Sequence, residues 1–101
     1  MVHILLVCSA GMSTSLLVNK MKAAAEKRGV EAEIWAVADA EAANNIDKAD
    51  CMLLGPQVRF MLAKMKDFAG SKPVEVIDMA TYAIMDGDKA LTQALKLLGQ
   101  A

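Results

Sequence analysis

Val7-Cys8-Ser9-Ala10-Gly11-Met12-Ser13-Thr14-Ser15 is the stretch that decides the fold of this chain. The apolar run Ile4-Leu5-Leu6-Val7 leads into it, and a helical pattern leads out of it from Leu16. Small and hydroxyl residues fill the space between. A strand, a small-residue loop and a helix start bring several backbone N–H groups and the positive end of a helix dipole to one place, which makes a cradle for an anion. A thiol at the mouth of that cradle is placed to act as a nucleophile.

Outward from this stretch, the same alternation of strand and helix repeats. His3 to Val7 is short, continuous and aliphatic, as a buried parallel strand is. Leu17, Met21, Ala24 and Ala25 then form an apolar stripe, with Asn19, Lys20, Lys22, Glu26 and Lys27 opposite. Ser13, Thr14 or Ser15 is expected to cap this helix and Gly29 to close it. Val30 to Val37 alternates, with Val30, Ala32, Ile34 and Ala36 on one face and Glu31, Glu33 and Trp35 on the other. That is the pattern of an edge strand. Residues 39–45 predict a short helix capped by Asp39. Asp50 to Leu54 is a second fully apolar strand, stopped by Gly55-Pro56.

Val58, Met61, Leu62, Met65 and Phe68 follow at helical spacing, with Arg59, Lys64, Lys66 and Asp67 toward solvent. Ser71-Lys72-Pro73 makes a turn into a fourth strand, Val74 to Ile77, ending at Asp78. Residues 79–87 read as a loop or a broken short helix. A last helix runs from about Asp88 to Leu98, with Leu91, Ala94, Leu95 and Leu98 on one stripe and Gly99 ending it. The expected architecture is one α/β domain over residues 1–101: a four-stranded parallel sheet with helices on both faces, Rossmann-like. The first and third strands should be central and the second an edge. Ligands of such sheets bind beyond the carboxyl ends of the strands, where Cys8, Pro56 and Asp78 all fall.

Composition narrows the function classes. Aromatics are 4% of the 101 residues and the formal net charge is −1. Neither a stacking surface nor a basic patch for nucleic acid is present. The apolar runs are too short to span a bilayer and the start lacks a basic signal-peptide region, so a soluble cytoplasmic domain is expected. Two cysteines without a C-x-x-C do not suggest a disulfide framework. Cys51 lies inside an apolar run, the setting of a buried hydrophobe, whereas Cys8 ends its strand.

The familiar phosphate loops are missing: neither G-x-x-x-x-G-K-[ST] nor G-x-G-x-x-G occurs. No metal-ligand spacing occurs, His3 is the one histidine, and no cofactor is implied. A cysteine leading an anion cradle is also the geometry of the small tyrosine phosphatases, with their C-x5-R signature. Counted from Cys8, the arginine position holds Thr14. Without that charged fork the loop is suited to hold a phosphoryl group on Cys8 and pass it on, and poorly suited to hydrolyse it.

Together with Leu53-Leu54-Gly55-Pro56-Gln57 and the run from Lys72 to Asp78, the opening stretch resembles the IIB component of a phosphoenolpyruvate-dependent sugar phosphotransferase system. The likeness is to the lactose/cellobiose class, in its cellobiose/diacetylchitobiose branch, and covers essentially the whole chain. It implies a fold like the low-molecular-weight tyrosine phosphatases and a phosphocysteine at Cys8. It also implies phosphate received from a phosphohistidine of a IIA protein, and passed to a β-linked disaccharide held by the membrane protein IIC during uptake. Such a carrier is a cytoplasmic phosphotransferase that touches the membrane only through IIC. The amides of Ser9, Ala10, Gly11, Met12, Ser13, Thr14 and Ser15 would cradle the phosphoryl oxygens, with Gly11 allowing close approach and Met12 offered to a partner. Gln57, Asp78 and Tyr82 line the rim, as site residues or as cap, turn and packing. The competing readings are an arginine-less phosphatase or arsenate-reductase-like enzyme, and a flavodoxin-like binding module with an incidental Cys8.

Overall fold

The computed structural model describes residues 1–9 and 12–100, apart from the side chains of Met12 and Ser13. Four strands, β1 (Val2–Cys8), β2 (Ala32–Ala38), β3 (Cys51–Leu54) and β4 (Val74–Val76), form one sheet in the order β2-β1-β3-β4. Every pairing is parallel. The two most apolar strands are therefore central and the alternating one is an edge, as their patterns require.

Alternation along β1 sorts the core into two layers. Val2, Ile4 and Leu6 pack with Ile34, Cys51, Leu53 and Ile77 under helices α1 (Met12–Arg28) and α5 (Gly87–Leu97). Leu5 and Val7 pack with Met52, Leu54 and Val74 on the other face. That face is covered by α2 (Ala42–Asn45), by 3₁₀ turns around it, and by α3 (Leu62–Ala69). The helix α1 ends as expected at Gly29, whose φ of 69° lets the Val30 N–H reach the Ala25 carbonyl at 2.8 Å.

Three expectations need correction. The helix α1 starts at Met12, five residues before its apolar stripe, so Ser13, Thr14 and Ser15 lie inside the first turn and not ahead of it. Asp39 is not a cap: it opens a 3₁₀ turn whose N-cap is Ala38, and no side chain caps it. An acid in a first turn is favoured by the helix dipole as well as by capping, and here the dipole alone applies. Phe68 is 47% exposed. Residues Pro56–Met61 wind as a 3₁₀ turn kinked at Val58 (φ −117°, ψ 20°), which shifts the phase of the stripe so that Met65 and Ala69 take the buried positions of α3. Residues 79–87 resolve into α4 (Met79–Ala83) and a connection in which Met85 adopts φ 52°.

At the amino ends of the strands, Asp50 accepts from the His3 backbone N–H at 2.8 Å and lies 3.1 Å from its Nδ1. The backbone N–H, then the ring, hold the Asp50 carboxyl below its usual 3.8. A carboxylate so stabilised adds stability above that value and loses it as pH falls through the lowered one. For an exposed pair the loss is about 0.5 kcal/mol. Thermal melts of the parent and of Asp50→Asn are expected to converge below pH 3.8 and to differ most near neutrality; a gap that widens on acidification would refute the tether.

Candidate active site

Cys8 is the last residue of β1, with Ala38 of β2 as its register partner. On its other side the chain leaves β3, and the Gly55 N–H donates to the Val7 carbonyl at 2.8 Å. The sulfur is thus fixed between two strand ends, with Cys8 only 1% exposed. Thr14, fully buried in the first turn of α1, brings Oγ1 to 2.9 Å from Cys8 Sγ, and either atom can donate. No acidic residue stands in that first turn. Developing negative charge at the sulfur end of β1 therefore meets a helix N-terminus and a hydroxyl with no competing carboxylate in that turn. Thr14 occupies the place where a phosphatase-like loop would carry arginine, and it spends its hydroxyl on the sulfur. Ser9 and Ser15 are exposed. Ala10 and Gly11, with the expected freedom of Gly11, lie outside the described residues, as do the side chains of Met12 and Ser13.

Gly55-Pro56-Gln57 forms the opposite flank. Gly55 has φ −62° and ψ 150°, a conformation open to any residue. Glycine instead leaves room for a neighbour: a Cβ there would fall on the Gln57 carboxamide oxygen and displace it, and would stand 3.5 Å from Cys8 Cβ. Pro56 opens the 3₁₀ turn that follows, so the Gln57 side chain folds back over Gly55. Its Nε2 donates to the Tyr82 hydroxyl at 2.9 Å.

Tyr82 is delivered by α4, and α4 is placed by Asp78. The Asp78 carboxylate accepts from the Thr81 N–H at 3.2 Å and from its hydroxyl at 3.3 Å, capping the helix. The Asp78 N–H in turn donates to Gln93 Oε1 at 3.0 Å, while Gln93 Nε2 donates to the Val76 carbonyl at 2.8 Å. Of the three expected rim residues, the structure joins Gln57 and Tyr82 and turns Asp78 toward its own helix. Gln93, which carries this support from α5, was not singled out, because a lone polar residue on a helix has no sequence signal. Among the described residues no helix is long and apolar enough to cross a membrane.

Residues 3–93 match the family described as the PTS system, lactose/cellobiose-specific IIB subunit. The chain is similar to the oligo-beta-mannoside-specific EIIB component of Bacillus subtilis, with 51% identity over 97% of each chain. It is 47% identical to the galactose-specific EIIB component of Lactococcus lactis subsp. cremoris, over 94% of each. Its fold matches the solution structure of the cellobiose-specific phosphotransferase IIB component of Borrelia burgdorferi. There the TM-score is 0.79 and the identity 35%, over 99% of this chain and 94% of that one. A cysteine at the end of the first strand of a four-stranded parallel sheet, and relatives matched along nearly their whole length, lead to one conclusion: the chain belongs to the lactose/cellobiose-specific IIB family and is a phosphotransferase of the sugar phosphotransferase system.

Proposed function

We propose that Cys8 accepts a phosphoryl group from a phosphohistidine on a IIA partner and delivers it to a sugar bound by IIC. The Cys8 sulfur attacks phosphorus; the S–P bond forms as the P–N bond breaks, and the imidazole nitrogen leaves with the electron pair and takes up the thiol proton. In the second step a sugar hydroxyl oxygen attacks the same phosphorus. The S–P bond breaks, its electron pair goes to sulfur, the hydroxyl proton goes to a base supplied outside this chain, and the cysteine is reprotonated from solvent. The one histidine, His3, lies near the far end of β1 from Cys8 and takes no part. Charge on the three phosphoryl oxygens is met by backbone amides from Ser9 to Ser15 and by the start of α1.

The observation that carries this reading is the Cys8 Sγ held 2.9 Å from Thr14 Oγ1 at the start of a 17-residue helix. The relatives are named for different sugars, an oligo-beta-mannoside, galactose and cellobiose. Family likeness spread over relatives named for different sugars fits a carrier whose sugar is chosen by IIC; a β-linked disaccharide such as cellobiose or diacetylchitobiose is the proposed cargo. The chain works on the cytoplasmic side and meets the membrane through IIC.

Incubation with phosphoenolpyruvate, the general phosphotransferase proteins and IIA is expected to add one phosphoryl group, mapped by peptide mass spectrometry to the Cys8 peptide. An adduct on another residue, or none, would overturn the reading. Steady release of phosphate from p-nitrophenyl phosphate by the chain alone would favour a phosphatase instead.

A further inference from the structure

We infer that the Gln57 carboxamide is a phosphoryl-binding group, a neutral donor that a half-turn of the amide brings to the oxygens of phosphorylated Cys8, and that Tyr82 is the residue that positions it. The inference rests on the carrier reading of Cys8. Gln57 Oε1 and Cys8 Cβ both lie within 3.5 Å of the single point that a Gly55 Cβ would occupy, so the carboxamide and the cysteine flank the same glycine. Gln57 is exposed while Cys8 is buried, which puts the carboxamide on the open side from which a phosphoryl group must arrive. Here Nε2 donates to the Tyr82 hydroxyl at 2.9 Å and Oε1 faces Gly55; a half-turn of the amide exchanges the two, with the Tyr82 hydroxyl then donating to Oε1 and the Nε2 hydrogens turned to the Cys8 side.

The chemistry favours a neutral donor here. The first turn of α1 serves the phosphoryl group from one flank, and a full positive charge on the other would stabilise the phosphoenzyme and its hydrolytic transition state alike. A carboxamide stabilises the oxygens enough to accept the group and still release it. Glycine at 55 leaves the carboxamide its present place, which is where a side chain at 55 would begin.

Transfer from phospho-IIA, followed by rapid quench and intact mass, tests this. Gln57→Leu is expected to slow acceptance about ten- to a hundred-fold, the size of a lost hydrogen bond to a charged group, with an unchanged melting temperature. Gln57→Glu keeps the shape and replaces the donor by an anion. Its rate relative to the parent should be lowest near neutrality and rise as pH falls toward carboxyl protonation, which a merely structural glutamine would not produce. Tyr82→Phe should lower kcat several-fold and leave the KM for phospho-IIA unchanged, and it carries the test if Gln57 variants fold poorly. If the parent takes phosphate on Cys8 and the Gln57 and Tyr82 variants match it within two-fold, this inference alone falls. If the parent takes none on Cys8, both readings fall.

Discussion

A Cys8→Ser variant is expected to accept no measurable phosphoryl group from phospho-IIA, while Cys51→Ala accepts it at the parent rate. The serine keeps the size and a hydroxyl for Thr14, so the fold and the 2.9 Å contact have no reason to fail. What goes is the nucleophile: sulfur attacks phosphorus far more readily than an unactivated serine hydroxyl. Cys51 cannot substitute. It pairs with Ile4, four residues back from Cys8, about 13 Å along the strand. It is fully buried in β3. Burial, and then the Asp50 charge, push its thiol up to about 12, so at pH 8 only about one molecule in ten thousand is a thiolate. Replacing it by alanine costs about 1 kcal/mol of core packing and leaves no buried hydroxyl unsatisfied. Intact mass after incubation with the full phosphoryl chain decides the matter. An adduct on Cys8→Ser, or its loss in a folded Cys51→Ala, would remove Cys8 from the mechanism.

The sheet was readable because its information is local and periodic. The apolar runs at 4–7 and 51–54 have no polar face, so they must lie in the middle; the alternation at 32–36 requires an edge. Cys8 was readable for a related reason, as the point where a buried strand meets a small-residue loop. The start of α1 was not. Thr14 is fully buried, but against a sulfur and not on an apolar stripe, so hydrophobic periodicity places the helix too late. The Gln57–Tyr82 bond joins residues 25 apart through a glycine whose dihedrals are ordinary, and only the fold reveals that its missing Cβ makes room for a side chain two residues on. Functional residues that act through space leave little periodic trace. Gly87 is the same lesson in the core: the sequence places it at the tail of an irregular segment, and the structure seats it against α1.

Gly87→Ala is expected to destabilise the chain by about 2–3 kcal/mol, more than a left-handed glycine costs when replaced elsewhere. Gly87 is buried at the first position of α5, behind the cap Asp86, whose carboxylate accepts from the Lys89 N–H at 3.0 Å. A methyl there would come to 2.5 Å from the Lys20 carbonyl oxygen and 2.7 Å from Lys20 Cβ, and would overlap the Lys20 carbonyl carbon. These are mostly backbone atoms in the middle of α1, so no side-chain rotation relieves the clash. Alanine's better helix propensity, about 1 kcal/mol, is too small to offset it. The helices must separate, loosening Leu17, Val18 and Met21 from Ala90, Leu91 and Ala94, which pack in the same layer. Gly29→Ala is the comparison: φ is 69° and nothing lies within 4 Å of the added methyl, so only backbone strain of about 1 kcal/mol applies. Melting temperature should fall about 10–20 °C for Gly87→Ala and less than half as far for Gly29→Ala. Equal losses, or the reverse order, would mean that α1 and α5 are not in backbone contact at this point. Because α1 carries Thr14 and α5 carries Gln93, the support of Asp78, the same separation should also slow phosphoryl acceptance in the folded fraction.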